Sequence, residues 1–168
     1  MRKLQRIVKR AASTRTGAWF FSHVAHRLDL SVICLSKGRS SLTSIFAGLP
    51  VITLTTIGAK SGQPRTVPLV GIPDGEKVVL FASNFGRAHH PAWYHNLRAN
   101  PEARLSFHGR AGTYIAHEAT GPEREAYWQE AVELYAGYAT YKERTKGREI
   151  PVMMLTPKDS EDPITILE

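Results

Sequence analysis

Three stretches of this 168-residue chain concentrate side chains able to bind or react. The first is TTIGAKSGQPR, from Thr55 to Arg65, directly after the apolar run LPVITL. A turn between strands needs only residues that tolerate unusual backbone angles, and Gly58, Gly62 and Pro64 supply those. Lys60, Ser61 and Arg65 exceed that need. Glycines let backbone N–H groups approach a ligand, and the two cations and the hydroxyl would suit phosphate or carboxylate. It is not a Walker A loop, because a proline and a β-type run follow instead of a helix. The same residues also read as a charged hairpin loop kept in water, so both readings stay open.

The second stretch is ASNFGRAHHPAWYHN, from Ala82 to Asn96. Ser83, Asn84 and Gly86 follow a strand and so sit at a barrel rim, where hydrogen-bonding side chains and free backbone amides can address the edge of a planar ring. Trp93 can pack on such a ring or anchor a short helix, and Asn96 can hydrogen-bond a ligand. His89, His90 and His95 raise the question of a metal, but no HExxH pair or carboxylate at ligand spacing accompanies them, so no metal site is expected. The third stretch is ELYAGYATYKERTKGREIPV. Tyr135, Tyr138 and Tyr141 are three apart, which on one continuous helix places them on a shared face, although Gly137 can break the helix after the first. Tyrosines can enclose a planar substrate and donate a proton; at this spacing they also serve as core packing.

The elements that must position these residues change character along the chain. Residues 1–41 read as a basic helical segment, with Leu4, Ile7 and Val8, then Phe20, Val24 and Leu28, at helical spacing. Residues 1–36 could lie on a membrane surface or form a solvated helix packed by one face. Residues 42–168 form the second unit. From Pro50 onward short β-type runs dominate: 51–56, 65–72, 77–83, 103–108, 113–119 and 150–156. Asp74-Gly75 and Gly109 to Gly112 mark hairpins, so the strands are mainly antiparallel, and Pro68 places its run at an edge or a bulge. Pro91–Ala99 and a segment from Pro122 to about Ala136 read as helices. With no repeated strand–helix–strand pattern, the expected fold is a mainly β, antiparallel sheet closed on itself, with peripheral helices.

Bulk composition narrows the partners. Lys and Arg number 22 against 15 Asp and Glu, a net charge of +7, so an acidic partner is expected. No recognition module accompanies the basic residues, so nucleic acid is not expected. Cys34 is the single cysteine, which excludes a disulfide framework, and no GxSxG elbow supports a covalent hydrolase. The basic start is followed by AASTRTG instead of an apolar core, and His23, His26, Arg27 and Asp29 interrupt residues 18–35. The expected location is cytoplasmic, with contact at the inner membrane face if residues 1–36 are interfacial.

Together, TTIGAKSGQPRTVPL (55–69), ASNFG followed by HPAWYHNLRANPE (82–102) and LYAGYATY…REIPVMMLTP (134–157) resemble the deazaflavin-dependent nitroreductase family. The resemblance implies a split β-barrel related to FMN-binding flavin reductases. It implies coenzyme F420 as cofactor, with Lys60, Ser61 and Arg65 on its phosphate and carboxylates. Ala82, Ser83 and Asn84 would line the deazaflavin ring, and Trp93 and Asn96 would border the cofactor groove. Tyr135, Tyr138 and Tyr141, with Ser83, would be the catalytic side chains on the substrate side. The implied reaction is hydride transfer to an electron-poor acceptor such as a quinone, an activated alkene or a nitroaromatic. Ala59 and Asn84 stand where relatives often carry basic residues. Rivals are an FMN reductase of the same fold and a non-catalytic flavin- or lipid-binding protein; a homodimer is compatible with all of these.

Overall fold

The computed structural model describes residues 49–107 and 110–158. The expected helical segment 1–41, the membrane contact through 1–36, Cys34 and the tip of the second hairpin at Gly109 fall outside them.

Seven strands form one sheet: β1 (Val51–Ile57), β2 (Pro64–Val70), β3 (Ile72–Asp74), β4 (Lys77–Phe81), β5 (Glu102–Phe107), β6 (Arg110–Glu118) and β7 (Val152–Pro157). Their order is β2-β1-β5-β6-β7-β4-β3, with every pairing antiparallel. Three helices join them: α1 (Ala92–Ala99), α2 (Gly121–Leu134) and α3 (Gly137–Arg144). Pro91 is the cap that precedes α1, one position earlier than the sequence pattern indicated.

The run 65–72 serves both sheet edges. β2 and β3 are the two outermost strands, yet only Gly71 separates them in sequence. One strand, kinked at Gly71, therefore leaves one edge and joins the other, which curls the sheet into a half-barrel and supplies the expected closure covalently. A side chain at Gly71 would meet Val78 Cγ1 at 2.8 Å and Ile52 Cγ1 at 3.1 Å, so the kink needs glycine. Pro68 sits opposite Thr53 on this edge strand, where its missing N–H removes no ladder bond on the outer side.

Burial follows strand periodicity. In β1, Ile52, Leu54 and Thr56 point inward and their neighbours are more exposed. β4 and β7 are instead buried on both faces: Val78, Leu80, Met153 and Leu155 fill the barrel with Trp93, Leu97 and Leu105. Val79, Phe81, Val152 and Met154 pack beneath α2 and α3 with Trp128, Tyr138 and Ile150. That double burial explains why VVLF and VMML read as unbroken apolar runs. The site lies where the ends of these strands meet the helices.

Candidate active site

A groove of about 1210 Å³ gathers all three chemical stretches. Lys60 and Ser61 reach it from the β1–β2 loop, Arg65 from the start of β2, Ser83 and Asn84 from just after β4, Trp93 and Asn96 from α1, and Tyr135, Tyr138 and Tyr141 from the α2–α3 corner. Ala82 is the exception: its side chain is fully buried in the barrel core and does not line the groove. Among the described residues the lining carries three cations, Lys60, Arg65 and Arg87, and three histidines, with no carboxylate.

The β1–β2 loop is shaped by hydrogen bonds within itself. Gly58 N–H donates to Gln63 O at 2.9 Å, Gly62 N–H to Gly58 O at 2.8 Å, and Gln63 N–H to Ser61 Oγ at 3.3 Å. Asn96 ties this loop to α1: its Oδ1 accepts from Ala59 N–H at 3.0 Å and its Nδ2 donates to Thr56 Oγ1 at 3.0 Å. The Ala59 N–H fixes which carboxamide atom is the oxygen. Asn96 thus places the loop, with at most one N–H left for a ligand. Among the described residues, neither Lys60 nor Arg65 has an ion-pair or hydrogen-bond partner, so both charges are available to an anion.

After β4 the chain makes a tight turn through Asn84 (φ 48°), Phe85 (φ 56°) and Gly86 (φ 77°), three successive left-handed residues. Asn tolerates that region through local side-chain hydrogen bonds, and Asn84 Nδ2 donates to His89 O at 2.9 Å. A lysine here would forgo that bond, which gives Asn84 a local reason. Phe85 has no such excuse and is held by packing its ring edge-on to Tyr141 at 6.2 Å. No described residue hydrogen-bonds the Ser83 hydroxyl.

The tyrosines do not share one helix. α2 ends at Leu134, Tyr135 is its cap, and α3 begins at Gly137. They converge regardless, with ring centroids 5.7 Å (135–138), 6.1 Å (135–141) and 6.3 Å (138–141) apart, all edge-on. Gly137 permits this, because a Cβ there would fall 2.2 Å from the Tyr135 ring. Tyr135 and Tyr141 hydroxyls bond each other at 3.2 Å, whereas no described residue bonds that of Tyr138. Burial raises all three pKa values, so the hydroxyls stay protonated at any ordinary pH.

One residue that sequence reasoning missed organises the second stretch. Arg148, just before β7, donates from Nη1 to Ala82 O at 3.2 Å, from Nη2 to Ser83 O at 2.9 Å, and from Nε and Nη2 to Arg87 O at 3.1 and 3.0 Å. Its place in REIPV, amid exposed charges, gave no local signal of this reach. The three histidines do not assemble a metal site; among the described residues no such cluster exists.

The sequence profile of the F420H(2)-dependent quinone reductase family matches residues 30–157. The chain belongs to that family. It is an oxidoreductase whose cofactor is coenzyme F420, and the reaction is hydride transfer from the reduced deazaflavin to a quinone. An F420H(2)-dependent quinone reductase of Mycobacterium tuberculosis is 37% identical over 110 residues, 64% of this chain and 73% of that one. A solved F420-H2 dependent reductase, FDR-A, superposes with a TM-score of 0.58 at 40% identity, covering 63% of this chain and 93% of its own. A structure described as a domain-swapped dimer gives a TM-score of 0.60 at 34% identity, covering 77% and 96%. The split-barrel fold, the cofactor and the reductase activity expected from sequence hold, and FMN is set aside as the cofactor. Among the described residues of the quinone reductase, no helix is long and apolar enough to cross a membrane.

Proposed function

We propose that the reductase holds coenzyme F420 with its phosphate and tail carboxylates against Lys60, Ser61 and Arg65 and its ring beside Ser83, Asn84 and Trp93. The quinone then packs against Tyr135, Tyr138 and Tyr141. One observation supports this reading: a single groove offers two unpaired cations at the β1–β2 turn, an aromatic wall from a different corner, and no carboxylate among the described residues of its lining. The residues fit the group. At about 1210 Å³ the groove exceeds the roughly 300–1,000 Å³ usual for one drug-sized ligand, which leaves room for a second planar molecule.

The tyrosines divide their work. Tyr135 and Tyr141 satisfy each other and form a fixed wall, while the Tyr138 hydroxyl donates to a carbonyl oxygen of the quinone and draws off charge as hydride arrives. Raised pKa values keep the proton on each hydroxyl, so the tyrosines can donate hydrogen bonds but are poor acids, and the proton that completes the hydroquinone comes from solvent. The closing wall keeps water from the hydride path.

Fluorescence-quenching titration tests the tail assignment. Oxidised coenzyme F420 should bind the wild type tightly and the Lys60→Ala, Arg65→Ala double variant weakly, while a deazaflavin lacking the phosphate-bearing tail binds both alike. Equal loss for the tail-free compound would place these cations at the ring.

Quinones partition into lipid, and the net charge of +7 with a basic residue 1–36 segment favours delivery at the inner face of an anionic membrane from a cytoplasmic location. Co-sedimentation with phosphatidylglycerol vesicles that persists after deletion of residues 1–36 would reject that contact. Similarity to a domain-swapped dimer supports a homodimer, which light scattering would decide.

A further inference from the structure

Arg148 also meets a side chain. Its Nη1 lies 2.9 Å from His90 Nδ1. A guanidinium has donors and no acceptor, so His90 Nδ1 must accept and carries no hydrogen. The imidazole is then neutral with its hydrogen on Nε2. Ring orientation is fixed from a second side, because His90 packs on Tyr94 at 4.8 Å and meets His95 edge-on at 5.9 Å. Nε2–H has no partner among the described residues, and His90 lines the groove. With one nitrogen occupied and a face packed, Nε2–H is the polar atom left for a ligand.

We propose that His90 is a binding residue of the groove, its Nε2–H donating to a carbonyl or anionic oxygen of the bound cofactor or quinone, and that Arg148 is the positioning residue that fixes this tautomer. The same guanidinium grips the carbonyls of Ala82, Ser83 and Arg87, so it sets both the donor and the strand end beside it. Nη1 also donates to Glu149 O at 3.1 Å, and a lysine could not do this, since an ammonium has three hydrogens for these five acceptors. The ligand role rests on the groove being the cofactor and quinone site.

Nitrogen NMR of histidine-labelled protein at neutral pH, without ligand, reads the tautomer directly. The wild type should show His90 with bare Nδ1 and protonated Nε2, and Arg148→Met should lose that preference; a protonated Nδ1 in the wild type would overturn the proposal. Ligand binding is read on His90→Leu and His90→Gln, with near-UV circular dichroism confirming the fold. Leucine should raise the dissociation constant of oxidised coenzyme F420, or the KM for menadione, by about fivefold, and glutamine, which keeps a donor at the Nε2 position, should recover most of it. Whichever constant moves identifies the ligand. Both constants within twofold of wild type in His90→Leu would reject the binding role. A wild type that fails to bind coenzyme F420 removes the cofactor reading and the ligand role with it, while the tautomer stands or falls on the NMR alone.

Discussion

Asn96 and Thr56, forty residues apart and both buried, hydrogen-bond at 3.0 Å, and through this pair α1 is pinned to β1. The other end of the same carboxamide holds Ala59 N–H, so one side chain sets the distance between the helix that carries Trp93 and the loop that carries Lys60.

Replacing Asn96 by Leu should destabilise the fold by about 2–4 kcal/mol, because it leaves Ala59 N–H and the Thr56 hydroxyl without their partner. Asn96→Asp keeps an acceptor for Ala59, and the Thr56 hydroxyl can turn to donate, so stability should suffer less while the added negative charge weakens F420 binding. Denaturant melts and quenching titrations on both variants separate the two effects; equal stabilities would remove Asn96 as the tie.

Lys60→Ala and Arg65→Ala should each weaken coenzyme F420 binding by about 1–3 kcal/mol, as loss of a charge-assisted hydrogen bond does. Both charges are exposed, so wild-type affinity should also fall with added salt, and the variants should show a shallower salt dependence. Unchanged titration curves for both would end the anion-site assignment.

Tyr138→Phe deletes a hydroxyl that no described residue engages, so the melting temperature should hold while kcat/KM for the quinone drops about five- to tenfold with little change in F420 affinity. Tyr135→Phe, which breaks the bond to Tyr141, should instead cost stability by about 1 kcal/mol. A Tyr138→Phe variant that loses cofactor affinity and turnover in step would move this residue to the cofactor side.

His90 carries a pH signature. Burial lowers its pKa, with Arg148, His95 and His89 pushing the same way and Glu118 opposing. The unfolded chain therefore binds this proton more readily, so the contribution to stability is complete above about pH 6.5 and is lost as pH falls toward the lower folded value. Thermal melts between pH 5 and 8 should show a steeper acid-side decline in wild type than in His90→Gln. Parallel curves would mean that the imidazole is not held neutral.

The alternating runs, the Asp74-Gly75 turn and the edge proline Pro68 made the sheet legible from sequence, since each is a local consequence of residue type. Six runs became seven strands because Gly71 divides one of them between two sheet edges, a division that depends on where β4 lies in space. Lys60, Arg65, Ser83 and the tyrosines were legible as chemistry. Their convergence was not: Tyr135 caps the end of α2 while Tyr138 lies on α3, and only Gly137, which yields its volume to the Tyr135 ring, hinted at how they meet. Arg148 and the structural task of Asn96 were hidden for the same reason, as both act on backbone far away in sequence.

The Arg148 clamp joins positions 61 to 66 residues apart and sits immediately ahead of the final strand. A chain emerging from the ribosome therefore carries Lys60, Ser83 and Trp93 well before the residue that aligns the rim between them, and β4 lacks its β7 neighbour over the same interval. The rim between them is therefore complete only once the last strand has paired with β4.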